Sequence, residues 1–338
     1  MRIEKRELVA EVAGSLGITR MLESMPKQDV LIVLNYHRIG NATESPYDPG
    51  VFSATAEEFD WQIAYLKRRF YLTTLDEAVA MVTGSIPLRT GVLITFDDGY
   101  LDNYGLAFPV LRSHRAQGVF FLTTSFVGTN YVPWWDVIAY IIKHSRKSVI
   151  QLQYPERIEF DLRHQGANEV IMRALQLYKR PDVTLQEHFI QELETACESS
   201  APSSNAERCF MNWQEAREMQ QGGMAFGSHT HTHEILSKLP VDRQLDEARQ
   251  SREALEMQLN RRVDVLAYPV GGRNCFTPET IEALKSCGYR AAFSFYGGFN
   301  RPGEIQPFNI CRVGVSPQSQ SRFRLKMALG ALTGTRWF

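Results

Sequence analysis

Two groups of residues in this 338-residue chain have the types and spacing to do chemistry. The first is Asp97-Asp98-Gly99. Adjacent carboxylates repel each other and lose hydration on burial unless a cation or a proton compensates them. The plain alternative is a turn in which one Asp caps the next helix and Gly99 takes a positive φ. The second group is His229-Thr230-His231-Thr232-His233, which holds three of the chain's eight histidines. Imidazole is the commonest side-chain metal ligand near neutral pH. An extended segment would put all three rings on one face, whereas a bend would bring His229 and His233 together and turn His231 away. The spacing is compatible with both geometries, and with a polar surface loop. Two His and one Asp make three protein ligands with positions left open for water and substrate, which is the pattern of a catalytic site. The second Asp could then serve as a base, so the chemistry would be metal-assisted hydrolysis.

The elements that must position these residues alternate between β-type and helical runs. Strands are expected at 31–36, 92–96, 118–123, 224–227, 263–268, 289–295 and 309–315. Helices are expected at 74–82 with Thr74 and Glu77 as a capping box, at 106–114, and at 212–221 with Asn212 as cap. Two more are expected at 242–260 and 277–287. Strands alternating with helices imply a mostly parallel sheet, and seven strands at this length suggest an α/β fold of the distorted (β/α)7 barrel type. In such folds the chemistry sits at the C-terminal ends of the strands. Asp97-Asp98 follows one strand and His229 another.

Three stretches lie outside the alternation. Residues 1–30 read as an N-terminal helical segment ahead of a barrel at 31–315. Residues 131–211 read as a mainly helical insertion at the barrel rim, with patterns at 134–145, 166–180 and 185–198 and a loop at 201–205. The tail, 316–338, carries Arg322, Arg324, Lys326 and Arg336 with no acid, and its Leu325, Leu329 and Leu332 recur at helical spacing. Such a helix either packs on the barrel or lies on anionic lipid.

Composition narrows the function classes. Lys plus Arg total 37 and Asp plus Glu 38, for a net charge of -1, and 44% of residues are apolar. That is ordinary globular composition, not that of a disordered, collagen-like or coiled-coil chain. A balanced charge argues against nucleic-acid binding, which needs a surplus of cations. No segment reaches the roughly 18 apolar residues of a membrane span. Residues 1–30 carry charges throughout and lack the apolar stretch of a secretory signal. The expectation is therefore a cytoplasmic protein, with peripheral contact at the inner face of the membrane as the alternative to packing for the basic C-terminal helix. The five cysteines show no CxxC pair and read as buried apolar side chains rather than as a disulfide framework or thiolate zinc site.

Thr95-Phe96-Asp97-Asp98-Gly99 resembles the first signature of the polysaccharide deacetylases (carbohydrate esterase family 4), and residues 227–233 resemble the second. The resemblance also takes in Asn35-Tyr36-His37-Arg38-Ile39, residues 266–271 and Arg312-Val313-Gly314-Val315. It implies a distorted (β/α)7 barrel and a divalent metal cofactor, with Zn2+ fitting the ligands. The substrate it implies is an N-acetylated sugar or oligosaccharide. Carried over residue by residue, it makes Asp97 the general base and Asp98, His229 and His233 the metal ligands.

The general acid departs from the commoner family pattern, because no His follows His233. Tyr36-His37 resembles the early His segment of the poly-N-acetylglucosamine deacetylases, so His37 is assigned as the acid that protonates the leaving amine. Residues 267–270 read Ala-Tyr-Pro-Val where many relatives carry an Arg that pairs with the base. Arg312 is the candidate to replace that charge. Tyr268, Pro269 and Val270 are expected to support the substrate, with the Val270 N–H on the oxyanion. Trp135, in the insertion, is expected to hold sugar unless it staples the insertion together. Two other readings share these residues: hydrolysis of another non-peptide amide, and a catalytically weak carbohydrate-binding protein of envelope-glycan assembly.

Overall fold

The structure is a computed structural model that describes residues 2–180, 183–202 and 208–334. The chain divides into two units. The first comprises Met1–Gly40, Ser53–Thr129 and Phe210–Phe338, and the second Asn41–Phe52 and Asn130–Cys209.

The first unit is built on β1 (Leu31–Tyr36), β2 (Gly91–Phe96), β3 (Gly118–Leu122), β4 (Ala225–Ser228), β5 (Val265–Ala267), β6 (Ala291–Phe293) and β7 (Val313–Gly314). They form one parallel sheet in the order β6-β5-β4-β3-β2-β1-β7. Successive strands are neighbours, and β7 returns beside β1. A bridge between Phe293 and Ile310 draws the two edges together, so the sheet curls into the distorted seven-stranded barrel expected from the strand count. The last three strands are shorter than their apolar runs, because burial continues past the end of the hydrogen-bonded ladder.

Every residue of β1, β2 and β3 is buried, as a parallel sheet covered on both faces requires. One face, with Ile32, Leu34, Ile94, Phe96 and Phe120, packs beneath the helices. The other, with Leu31, Val33, Leu93, Val119 and Phe121, lines the inside together with residues of the Leu75–Val82 helix. Period-two alternation carries the inward series on through Asn35 and Thr95 to Asp97. The register pairs Tyr36 with Phe96, so His37 and Asp97 leave the sheet at one level.

Local signals set the helix starts. Thr74, Asn212 and Thr277 each cap a helix through a reciprocal capping box. The same box, Thr55 with Glu58, starts Ala56–Arg69, a helix missing from the pattern above. At the C-terminus, Gln320–Thr333 buries Phe323, Leu325, Met327, Ala328 and Ala331. Its Arg322 donates to Glu7 at 3.0 Å, and Arg324 donates twice to Glu23 at 2.9 Å. Both side chains thus pair with acids of the N-terminal helices, Arg2–Ser15 and Ile18–Ser24. Arg336 lies outside the described residues. Among the described residues no helix is long and apolar enough to cross a membrane.

The second unit is mainly helical, with Trp134–Lys143, Leu162–Gln165, Ala167–Tyr178 and Gln186–Cys197. It also holds an antiparallel pair, Val149–Leu152 with Ile158–Asp161, that helical periodicity does not reveal. Its segment Asn41–Phe52 is tied in where Lys143 donates to the carbonyls of Ser45 and Tyr47 at 2.8 and 2.6 Å. Residues 203–205 of the expected loop lie outside the described residues.

Candidate functional site

Four strand ends converge on one cluster. His37 follows β1, Asp97 and Asp98 follow β2, His229 follows β4, and Tyr268 to Val270 follow β5. Arg312 enters from just before β7. Among the described residues only seven non-glycine positions have positive φ, and four of them are here: Asp98 at 72°, Thr230 and His233 at 64°, and Val270 at 61°. Strained backbone gathered in this way is a mark of a functional site. Gly99, at φ 85°, completes the turn after β2, and a Cβ there would meet Leu122 at 2.7 Å.

Asp97 is held from within the chain. Its Oδ1 accepts from Arg312 Nη1 at 2.6 Å, and its Oδ2 accepts from Arg312 Nη2 at 2.9 Å and Asn35 Nδ2 at 3.0 Å. Arg312 is fully buried, and its remaining donors reach Asn35 Oδ1 at 2.8 Å and the Ser294 carbonyl at 3.1 Å. Burial pushes the Asp97 carboxyl up, but the charges of Arg312, then His229 and His37, outweigh it and hold the group well below the carboxylate range. His229 Nε2 and His37 Nε2 each stand 3.9 Å from Asp97 Oδ2.

Asp98 is treated in the opposite way. It is 3% exposed, and its Oδ1 has no hydrogen-bond partner among the described residues. That oxygen faces His229 Nε2 at 3.4 Å and His233 Nε2 at 3.3 Å. One ligand atom from each of the three residues lies within 4.8 Å of the others. Ligands bonded at about 2.0–2.1 Å around a tetrahedral ion stand about 3.3 Å apart, so the spacing suits a small divalent cation. His229 Nδ1 lies 2.8 Å from the Ala267 carbonyl, which leaves Nε2 unprotonated and able to bind a metal. Burial lowers the His229 pKa to about 4, with the charge of His233 adding to the shift, so the ring is neutral at pH 7. Burial raises the Asp98 carboxyl, and the two histidines bring it below its usual value. A buried anionic oxygen beside two imidazoles, with no donor of its own, fits a metal.

The bend after β4 settles which histidines meet. Left-handed backbone at Thr230 and His233 breaks the extended path. Buried Glu247 accepts from the N–H groups of His231 and Thr232 at 2.9 and 2.8 Å, and Thr230 Oγ1 accepts from His233 N at 3.1 Å. His231 turns away, its Nδ1 2.9 Å from Thr124 Oγ1. Glu247 and Asn35 are site residues that the sequence reading does not single out. Asn35 sits within a quoted motif, but its function depends on the pairing of β1 with β7, which aligns Asn35 with Gly314.

The remaining expected residues are placed unevenly. Tyr268 is buried, stacked on Phe276 at 4.1 Å, with its hydroxyl donating to the Phe308 carbonyl at 3.0 Å, so it braces the loop after β5. Pro269 accepts from Gly271 N at 2.6 Å in a tight turn that leaves Val270 at the surface, 37% exposed. Trp135 belongs to the second unit, where it is buried and meets Trp134 edge to face at 5.2 Å. The backbone of His37 is fixed by its N–H donating to Ser53 Oγ at 3.0 Å and its carbonyl accepting from Asn103 Nδ2 at 2.7 Å.

Comparison with known proteins adds a family. The polysaccharide deacetylase family model matches residues 87–292, more than half of the chain. YxkH of Bacillus subtilis (strain 168), which carries polysaccharide deacetylase in its name, is 24% identical over 295 residues. That match spans 85% of this chain and 72% of YxkH. The solved structure of IcaB from Ammonifex degensii superposes with a TM-score of 0.59 at 23% identity, covering 90% of this chain and 98% of that one. The Streptococcus pyogenes deacetylase PplD, solved in complex with acetate, gives 0.57 at 17% identity, with coverages of 88% and 96%. At these identities the two structures speak for the fold.

Proposed function

We propose, on the premise that the chain belongs to the polysaccharide deacetylase family, that it hydrolyses the N-acetyl group of an amino sugar in a glycan or glycan precursor with a divalent metal held by Asp98, His229 and His233. Membership makes the protein a hydrolase of non-peptide carbon–nitrogen bonds. The observation that carries the finer reading is the pair of adjacent buried carboxylates, one held by Arg312 and the other with an oxygen that faces two imidazoles and accepts no hydrogen bond among the described residues.

The metal, when bound, would polarise the acetyl carbonyl and make a water acidic enough to lose a proton near neutral pH. Zn2+ suits one carboxylate and two imidazoles. Asp97, kept ionised by Arg312, takes the proton from the attacking water at Oδ2, its side toward His37 and His229. The Val270 N–H, which donates to no protein acceptor among the described residues, is available to the oxygen on which negative charge develops. His37, with Nε2 3.9 Å from Asp97 Oδ2 and a side chain 23% exposed, protonates the departing nitrogen. Acetate and a free amine leave.

The test is acetate release from N-acetylated oligosaccharides by the purified protein, before and after chelation and with Zn2+ restored. Activity that is lost and regained with the metal is expected. Release from no acetylated sugar, with turnover of a small formamide or imide, would transfer the site to another amide. A protein that binds glycans but holds no metal would be a binding module.

A further inference from the structure

A cavity of about 470 Å3 opens beside the cleft, and no step of the deacetylation uses it. Arg6, Arg322 and Lys326 line it together with Phe295, Tyr296 and Phe299, and no acidic residue does among the described residues. Three cations on one small concavity are a local excess in a chain whose net charge is -1. Arg322 donates Nη1–H to Glu7, yet its Nε is buried without a hydrogen-bond partner among the described residues. Lys326 Nζ donates to the Gly314 carbonyl at 2.6 Å, which fixes the ammonium at the end of β7. Arg6 is exposed. Arg322 and Lys326 are one helical turn apart, so the face of the C-terminal helix that carries them also lines the cavity.

The cavity adjoins the catalytic cluster through one side chain. The Phe295 ring lines it and stands 5.7 Å from the His37 ring and 5.6 Å from the Arg312 guanidinium. The Phe299 ring is held as closely. A Cβ at Gly330 would stand 2.1 Å from the Phe299 ring, so glycine in the C-terminal helix is what lets that ring lie against it. Flat apolar faces beside cations suit a sugar that bears a negative charge.

We propose that this cavity is an anion subsite: the acetylated glycan carries a phosphate or carboxylate on a sugar next to the one being deacetylated, and Arg6, Arg322 and Lys326 bind that group. The proposal deepens the deacetylase reading and rests on it for the nature of the substrate. It also gives the basic C-terminal segment a ligand within the fold.

The experiment compares kcat/KM of the metal-loaded full chain for three acetylated oligosaccharides: one neutral, one with a uronate, and one with a phosphate on the adjacent sugar. A preference of roughly tenfold or more for one anionic form at low salt is expected, from charge-assisted hydrogen bonds in the subsite. It should shrink as salt rises. Whichever anionic arm is preferred identifies the group. Arg6→Glu should bring the ratio near one, while Lys5→Ala, on the same helix but outside the lining, should keep it. Inorganic phosphate is the activity-free probe: it should raise Tm in the wild type and not in Arg6→Glu. Equal kcat/KM on neutral and anionic forms overturns the proposal, and if phosphate still binds in an Arg6-dependent way the cavity is a free-anion site. A phosphate effect that survives Arg6→Glu also overturns it. Arg6-dependent phosphate binding with no acetate from any of the three sugars supports the anion site and counts against the deacetylase reading alone.

Discussion

Asp97 and Asp98 are adjacent in sequence and both are buried, yet their surroundings are opposites. Asp97 accepts from two guanidinium nitrogens and one amide, so its charge is neutralised and hydrogen-bonded by the chain itself. Asp98 presents an oxygen that accepts no hydrogen bond among the described residues. A buried carboxylate left alone is costly, and folds tolerate one only when it is paired or coordinates a metal. The contrast therefore assigns the work. One carboxylate is preset by Arg312 to stay ionised, and the other keeps an oxygen that, in the proposed function, a cation from outside would complete.

The contrast breaks most completely at Asp98. Asp98→Asn should abolish stoichiometric metal binding and lower kcat by more than about 1,000-fold, because activation of the water goes with the ion. Chelation should silence the wild type as well, and Zn2+ should rescue the wild type and not the variant. Metal content and acetate release read both. Full activity in Asp98→Asn would remove the metal from the proposal.

Arg312→Ala attacks the other side by leaving Asp97 buried and unpaired. Loss of one partner of a buried ion pair costs about 3–5 kcal/mol, readable by urea unfolding. The acidic limb of the pH–rate profile should move up, because the guanidinium is the main group that holds the Asp97 pKa down. An unmoved limb would mean that Asp97 is not the base. Arg312→Lys keeps the charge but loses the two-pronged contact and should fall between.

A third measurement separates the histidines from the carboxylates. In the metal-free protein His229 has a pKa of about 4, against 6.5 in an unfolded chain. Between those values the unfolded state binds a proton that the folded state refuses, so stability rises with pH. The His229 contribution is complete above pH 6.5 and is lost as pH falls toward 4, by about 3 kcal/mol across that window. Asp97, whose folded pKa is depressed, contributes above the unfolded carboxylate range and loses that contribution only in stronger acid. Unfolding curves at pH 7, 5.5 and 4 should show the first loss, and His229→Gln should flatten it.

The smallest effect sharpens the comparison. Asn35→Ala removes the amide between Arg312 and Asp97 and should cost about 1–2 kcal/mol, with the acidic limb moving less than in Arg312→Ala.

The parts of the molecule that were legible beforehand are those whose cause is local. The capping box at Thr74 and the cap at Asn212 lie within four residues, and β1 matches its apolar run. The Asp and His signatures are contiguous, so they could be recognised as such. The resemblance named His229 and His233 together, but their spacing allowed two geometries, and the bend that joins them depends on Glu247 and Thr124, which come from other parts of the chain. Asn35 and the cavity at Phe295 were hidden for the same reason. The antiparallel pair at 149–161 was obscured by the helices around it.

Sequence alone determined which side chains are available and the strand ends to which they attach, because strands, caps and signature motifs are written in short runs of neighbours. The sequence offered Arg312 as a candidate partner for Asp97, but only the tertiary structure decided that Asp97 receives it while Asp98 Oδ1 receives no donor among the described residues. That choice is made by the register of β7 against β1 and the turn of one residue at φ 72°, which bring groups 215 positions apart into contact and aim adjacent carboxylates at different partners.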